Sequence, residues 1–366
     1  MKAAVLRAIG AKFDVADVDV SPPREGEVLV KMAAAGVCHS DLHVVKGDLA
    51  APLPGILGHE GAGVVLEVGP GVTNVARGDH VIPLWRASCG TCYYCSRGRP
   101  ALCDMGTKIR QTGRMLDGTS RFSLNGEEIF HFNGVSSFAE MSVLPASGVI
   151  PIPKDVPLAQ AALVGCGVLT GVGAVFNTAR VEPGASVVVI GSGGVGLNVV
   201  QGAALAGAEK VIAVDLRDNK LELARQFGAT HTINGSREDV LRAVQDLTGG
   251  RGADYAFEVI GLPQTVAQAV AIVRRGGTAV AIGIPAIKAE FALPALPMVT
   301  QEKVLKGSLY GSCDFHRDIP LILSLYTAGK LKLGELITKT YPLTEINEAF
   351  EALERGEGAR GVIVFD

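Results

Sequence analysis

Apolar positions follow one rule in the first two fifths of the chain and another after residue 184. From Met1 to about Pro151, short apolar runs such as Val28-Leu29-Val30-Lys31-Met32, Gly63-Val64-Val65-Leu66-Glu67-Val68 and Asp79-His80-Val81-Ile82 are separated by Gly/Pro turns. Runs of this length and β-branched content predict strands of a β-rich domain. Residues 104–134 are polar, contain glycine and show little periodicity, which predicts a long loop. A loop of that size inside a compact domain tends to have a function.

After Pro183-Gly184 the pattern changes to continuous apolar strands alternating with helical runs. Strands are predicted at Ser186 to Ile190, Lys210 to Val214, Tyr255 to Ile260 and Thr278 to Ile282. Helices are predicted at Leu197 to Ala206, Asn219 to Phe227, Arg237 to Leu247 and Gln264 to Arg274. Such alternation predicts an α/β domain, a parallel sheet covered on both faces. The C-terminal segment returns to a mixed pattern, with helices His316 to Ala328 and Glu345 to Glu354 and a strand Val362 to Phe365. No repeat is evident beyond the βα units.

One long stretch, Val156 to Ala179, carries no charge. A membrane-spanning helix needs about 20 predominantly apolar residues. This stretch holds Pro157, Gln160, Thr170, Asn177 and four glycines, so it reads as a buried connector between two domains. The N-terminus meets Arg7, Lys12 and Asp14 before any apolar run long enough for a signal peptide. A cytoplasmic protein with no membrane partner is expected. The 366 residues fit about two domains. With 34 Lys plus Arg against 37 Asp plus Glu, the net charge of -3 argues against a nucleic-acid partner.

The chemistry lies in three groups of residues. Cys89-x2-Cys92-x2-Cys95-x7-Cys103 bunches four of the seven cysteines. Four thiolates enclose a tetrahedral Zn²⁺ at bond lengths of about 2.3 Å and leave no open position, so this is a structural site. A second group is dispersed: Cys38-His39-Ser40-Asp41-Leu42-His43, Gly58-His59-Glu60, and Cys166 between glycines. Spacing alone leaves two readings open for it, packed core residues or a catalytic zinc held by two Cys and one His with a vacant fourth position.

The third group, Gly191-Ser192-Gly193-Gly194-Val195-Gly196, follows a strand and opens a helix, and Asp215 ends the next strand. That context makes G-x-G-x-x-G a dinucleotide site. Gly191 permits the turn, Gly193 lets the pyrophosphate approach, and Gly196 allows close packing. The helix N-terminus offers free N–H groups to the phosphates. Asp215 accepts from both ribose hydroxyls and repels a 2′-phosphate, which predicts NAD over NADP; Arg217 works against that preference.

Together these residues amount to a resemblance. GHEGAG (58–63), CHSDLH (38–43), the four-cysteine lobe, DGTSRF (117–122), GCG (165–167) and GSGGVG (191–196) stand in the order seen in zinc-dependent medium-chain alcohol dehydrogenases. The chain resembles that family over essentially its whole length. Within it, the resemblance is to the long-loop branch of liver alcohol dehydrogenases, thiol-dependent formaldehyde dehydrogenases and actinobacterial-type members.

The resemblance implies a GroES-like catalytic domain at 1–167 and 310–366, with the structural zinc lobe at about 89–103, and a Rossmann NAD-binding domain at 168–309. The active site is expected in the cleft between them. Two zincs per chain are implied, one held by Cys38, His59 and Cys166 and one by Cys89, Cys92, Cys95 and Cys103. Glu60 would exchange onto the catalytic metal, and Asp41 would orient His59. Ser40 would bind the substrate hydroxyl and His43 would end a proton relay through the nicotinamide ribose. His39, where the family often has Arg, Lys220 and Arg360 would bind the cofactor with Gly194 and Val195. Trp85, Phe132, Asn133, Ile284 and Leu309 would line the substrate pocket.

The function so implied is hydride transfer between a primary alcohol, medium-chain or aromatic, and NAD. Thiol-dependent formaldehyde oxidation of the glutathione or mycothiol type is the second reading. His43 and the reduction of an expected acidic pair to Asp48 weigh against its glutathione form. A non-catalytic zinc- and NAD-binding protein is the third, opposed by the presence of all three ligands. A homodimer joined through the Rossmann sheets is expected, with a tetramer as the alternative. His80, His131, His231, His316 and Cys313 are assigned packing, surface or interface roles.

Overall fold

The ten-residue strand Glu27–Gly36 is the spine of the first of two units. Its alternation of apolar and small residues lets it pair on both edges. It runs antiparallel to Gly61–Val68, to Met141–Pro145 and to the C-terminal strand Arg360–Val364. That last pairing draws the C-terminus back to the N-terminal third. In the computed structural model, which describes residues 1–366, the first unit accordingly comprises Met1–Cys166 and Asp314–Asp366 and the second Gly167–Cys313.

The first unit contains two sheets. The larger runs Val149–Ile152, His80–Pro83, Gly61–Val68, Glu27–Gly36, Arg360–Val364 and Ile337–Pro342, with Met141–Pro145 branching from the spine. A second sheet gathers Asp14–Asp17, Lys2–Leu6, Gly55–Ile56, Glu127–His131, Phe122–Leu124 and Asp19–Val20. Phe13, Phe138 and Phe350 pack ring to ring in one of its cores, with centroids 4.9–6.1 Å apart. Burial of each such side chain stabilises the unit by about 1.5–3 kcal/mol.

Residues 104–134 are not the irregular loop that their polarity predicts. They contain the helix Asp104–Thr112 and a hairpin of Phe122–Leu124 and Glu127–His131. The hairpin turns on Asn125 and Gly126, both at positive φ (51° and 84°). An Asn-Gly pair between strands favours a tight turn of this kind, and polar flanks masked the signal. The segment is anchored by Arg121, 1% exposed, whose guanidinium donates to both carboxylate oxygens of Glu27 at 2.6 and 2.8 Å and to Asp117 at 2.7 Å.

Val156–Ala179 is also more regular than its glycines suggest: Leu158–Ala179 is one 22-residue helix, mostly buried, with π-helical turns at Val164–Val168 and Ala174–Ala179. By length and composition this helix is long and apolar enough to cross a membrane, but its burial is that of a core helix. The glycines do not break it, because they sit where backbones approach. A Cβ at Gly171 would lie 2.6 Å from Asn198 Cβ, and one at Gly173 would run into Cys313.

The second unit is a six-stranded parallel sheet ordered His231–Asn234, Lys210–Asp215, Ser186–Ile190, Ala253–Glu258, Val273–Ala281, Val304–Gly307. The chain winds outward from Ser186–Ile190 and then restarts beside it at Ala253–Glu258, so the order reverses between these two strands. In parallel sheets a ligand crevice opens at that switch. The outermost strand, Val304–Gly307, and the short helix Ala295–Thr300 are absent from the sequence expectations. They are too short and too exposed to carry a period.

Candidate active site and metal centres

Cys38, His59 and Cys166 come from three separate elements of the first unit. Cys38 caps the helix His39–Lys46 just beyond the spine strand. His59 lies between Gly55–Ile56 and Gly61–Val68. Cys166 sits in the π-helical turn Val164–Val168. Their ligand atoms all lie within 4.8 Å of one another, and the three side chains are 2–7% exposed.

The ionisable groups here are arranged for a cation. Nδ1 of His59 is 3.1 Å from Asp41 Oδ1, which also accepts the Gly58 N–H at 3.1 Å. Nε2 of His59 is buried and has no hydrogen-bond partner. Such an orphaned nitrogen costs desolvation energy unless something binds it, and with two adjacent thiols it completes a Cys-His-Cys donor set suited to zinc. A hydrogen bond from Cys166 holds Cys38 well below the usual thiol range, and the same contact pushes Cys166 up. Burial opposes charge on His59, but the Asp41 and Cys38 charges overcome it and raise the imidazole. Burial raises Asp41 against the pull of His59.

Glu60 and Arg360 back the cluster. Arg360, 4% exposed, donates to Glu60 Oε1 at 3.2 Å and to the Val37 carbonyl at 3.2 Å. Burial works against its charge, but Glu60, Cys38 and Cys166 keep it charged. Gly36 is required beside it, since a Cβ there would lie 2.5 Å from Glu60 Oε2.

The four lobe cysteines, Cys89, Cys92, Cys95 and Cys103, also converge within 4.8 Å and form no disulfide. Sγ of Cys103 is 3.6 Å from that of Cys89 and 4.0 Å from that of Cys92. A tetrahedron with 2.3 Å metal–sulfur bonds has an edge of about 3.8 Å, so these spacings match a zinc cage. Burial opposes ionisation of Cys89, yet backbone N–H groups of Thr91 and Cys92 bring it down to about 6. Burial pushes Cys95 up to about 12. The lobe thus contains both sulfurs poised as thiolates and sulfurs that need the metal to ionise.

In the second unit, the strand Ser186–Ile190 runs into Gly191 at φ +100° and then the helix Gly194–Leu205, capped by Gly193. A Cβ at Gly196 would collide with the Gly191 carbonyl, whereas one at Gly193 would meet nothing within 4 Å. Gly196 therefore serves packing, and Gly193 faces open space. Asp215, at the end of Lys210–Asp215, accepts from the Ser192 N–H at 2.8 Å and the Arg217 N–H at 3.1 Å. Its carboxylate is tied to the glycine turn.

Residues 24–154 match the alcohol dehydrogenase GroES-like domain and residues 194–327 the zinc-binding dehydrogenase domain. The chain is 43% identical to the S-(hydroxymethyl)glutathione dehydrogenase of Paracoccus denitrificans, over 100% of this chain and 99% of that one. It is 44% identical to the NDMA-dependent alcohol dehydrogenase of Amycolatopsis methanolica, over 99% and 98%. The chain belongs to the zinc-dependent medium-chain alcohol dehydrogenase family. Among solved structures, the benzyl alcohol dehydrogenase of Acinetobacter calcoaceticus superposes with a TM-score of 0.95 at 33% identity, covering 100% of this chain and 99% of that one.

In this member of the family the two cysteine-containing clusters fit a catalytic and a structural zinc, and the Rossmann-like unit fits NAD. Around the catalytic cluster, Trp85 and Phe132 stand edge-on to His59, with ring centroids 6.4 and 5.9 Å away, and both are buried. Asn133 beside them is buried at φ +56°. Ser40 Oγ lies 3.8 Å from Cys38 Sγ, and His43 Nδ1 is 3.0 Å from Asp48 Oδ2. His39 is exposed. Lys220 is buried in the helix Asp218–Gln226, and Val195 is half-buried in the first turn after Gly193. Ile284 and Leu309 belong to the second unit, the first exposed and the second half-buried.

Two polar contacts near the site residues are not visible in the sequence. Asp48 is the polar partner of His43, which only the fold of the turn after the helix shows. Glu258, fully buried at the switch point, accepts at Oε1 from the N–H groups of Ile260 and Gly261 and from Thr265 Oγ1. A carboxylate ending the apolar run of Ala253–Glu258 was the available signal.

Proposed function

We propose that the protein is an NAD-dependent, zinc-requiring dehydrogenase that interconverts primary alcohols, medium-chain or aromatic, with their aldehydes. The observation that carries this reading is the buried Cys38–His59–Cys166 donor set beside the aromatic edges of Trp85 and Phe132. Three donors leave one tetrahedral position for a substrate oxygen.

When bound, zinc supplies Lewis acidity toward the hydroxyl oxygen and the nicotinamide supplies the hydride acceptor. The remaining work falls to the chain. Asp41 accepts a hydrogen bond from His59 Nδ1–H and so keeps Nε2 as the donor atom. Ser40 Oγ takes up the substrate's hydroxyl proton as it gives its own proton onward by way of the nicotinamide ribose, and His43, partly exposed, receives it and releases it to water. Trp85 and Phe132 exclude water and favour flat or extended apolar substrates. Glu60 holds Arg360 in place behind the thiols. Asp215 favours the unphosphorylated ribose, and the glycine turn takes the pyrophosphate.

The 43% identity to an S-(hydroxymethyl)glutathione dehydrogenase supports a second reading, in which the alcohol is a hydroxymethyl adduct of a low-molecular-weight thiol. One panel separates the two: benzyl alcohol, hexanol and formaldehyde, each with NAD or NADP, with and without glutathione or mycothiol. Oxidation of benzyl alcohol with NAD and no thiol is expected. Activity confined to formaldehyde plus a thiol would select the second reading.

We also propose a homodimer. Support comes from Val304–Gly307, paired on one edge only, and from Leu296 and Val299 just before it, 73% and 78% exposed. Sedimentation velocity tests this, with a monomer or a tetramer as the contrary results.

A further inference from the structure

We infer that Asp48 is a positioning residue for the proton relay: its carboxylate holds the Nδ1 proton of His43 and thereby keeps Nε2 free to accept. The inference rests on the proposed role of His43 as the group that passes the substrate proton to water.

The geometry is built by the end of the helix His39–Lys46. The helix terminates at Gly47, in the left-handed region at φ +82°, where a Cβ would lie 2.9 Å from Ile9 Cγ2. The chain then folds back, so that the Leu49 N–H donates to the His43 carbonyl at 3.1 Å. Asp48, caught inside this turn, is brought to 3.0 Å from His43 Nδ1. No other side chain bonds the ring.

Local structure gives no reason for an acid here. Carboxylates just past a helix C-terminus face the negative end of the helix dipole, so Asp48 is not placed to cap the helix. Nor is it spent on the neighbouring cation, because Lys46 pairs with Glu354. What remains is the imidazole. A neutral histidine carries one proton on either nitrogen, and the hydrogen bond made at one nitrogen decides the state of the other. With Nδ1–H donated to the carboxylate, Nε2 holds its lone pair. An incoming proton forms a new N–H bond there, and release of that proton to water restores the starting state.

The test uses the zinc-loaded enzyme with uniformly ¹⁵N-labelled histidine and four variants: Asp48→Ala, Asp48→Asn, Asp48→Glu and His43→Gln. Zinc content and Tm are checked first, so that altered folding is excluded. His43 is assigned in the ¹⁵N spectrum by the signal lost in His43→Gln. The expected result is an Nδ1-protonated ring in the native enzyme and loss of that preference in Asp48→Ala. The kcat of Asp48→Ala should fall about tenfold, part of the 10²–10⁴ a positioned acid–base group contributes, with KM for the alcohol unchanged. Asp48→Asn, which keeps a neutral acceptor, and Asp48→Glu should recover the tautomer and most of the rate. A slow His43→Gln combined with a native tautomer and native kcat in Asp48→Ala would overturn the inference alone. A His43→Gln enzyme with native kcat would overturn the relay reading and the inference with it.

Discussion

Asp41 accepts a hydrogen bond from His59 Nδ1–H from a fully buried position, and the opposite ring nitrogen has no protein partner. An imidazole held this way presents a single donor atom to a metal. Asp41→Ala should weaken zinc binding at this site by about 10- to 100-fold and leave the four-cysteine site unaffected. Chelator competition followed by metal analysis checks this. Equal losses from both sites would indicate general unfolding instead.

Arg121 ties the 104–134 segment to the strand Glu27–Gly36 through Glu27, and Asp117 of the same segment braces its guanidinium. Arg121→Met strands the Glu27 carboxylate, 7% exposed, without its partner. Breaking a buried pair in this way costs about 3–5 kcal/mol. Lysine cannot reproduce the two-pronged contact, so Arg121→Lys should recover only part of the loss. Urea denaturation of both variants measures the difference.

His131 predicts an acid-labile contribution to stability. Its Nε2 accepts the Arg121 N–H at 3.1 Å. Burial, helped by the Arg121 charge, pushes the ring down to about 3. Below an unfolded-state value of about 6.5 the unfolded chain binds a proton that the native ring refuses. The contribution is therefore complete above pH 6.5 and is lost as pH falls toward 3, at about 1.4 kcal/mol per pH unit. Denaturation between pH 7 and 4.5 should show a shallower slope in His131→Gln than in the native protein.

Cofactor choice depends on the carboxylate of Asp215. Asp215→Ser removes the charge that opposes a 2′-phosphate, leaving Arg217 two residues away. The ratio of kcat/KM for NAD to that for NADP should fall by at least about tenfold, equivalent to about 1.4 kcal/mol. An unchanged ratio would place the selection elsewhere.

The parts of this fold legible in the sequence are those in which one physical demand acts on consecutive residues. Ser186–Ile190 is apolar at almost every position because both faces of its sheet are covered, and Cys89 to Cys103 are bunched because one ion needs four sulfurs in a small lobe. The hairpin at Asn125-Gly126 was obscured because its strands are short and polar outside. The helix Leu158–Ala179 was obscured because its glycines answer to neighbours, Asn198 and Cys313, that are distant in sequence. For the same reason Cys38, His59 and Cys166 were ambiguous as spacing and unambiguous as a resemblance. The His43–Asp48 contact depends on a left-handed turn at Gly47 that no periodicity records.

The most direct test of the account is zinc content together with a single-turnover burst of NADH from benzyl alcohol, compared between the native enzyme, Cys38→Ala and Cys92→Ser. The two donor clusters predict two zincs per chain in the native enzyme. Cys38→Ala should hold one zinc, bind NAD normally and give no burst, whereas Cys92→Ser should lose stability while its remaining folded fraction still reacts. A Cys38→Ala enzyme that keeps both zincs, or that reduces NAD at the native rate, would contradict the central claim.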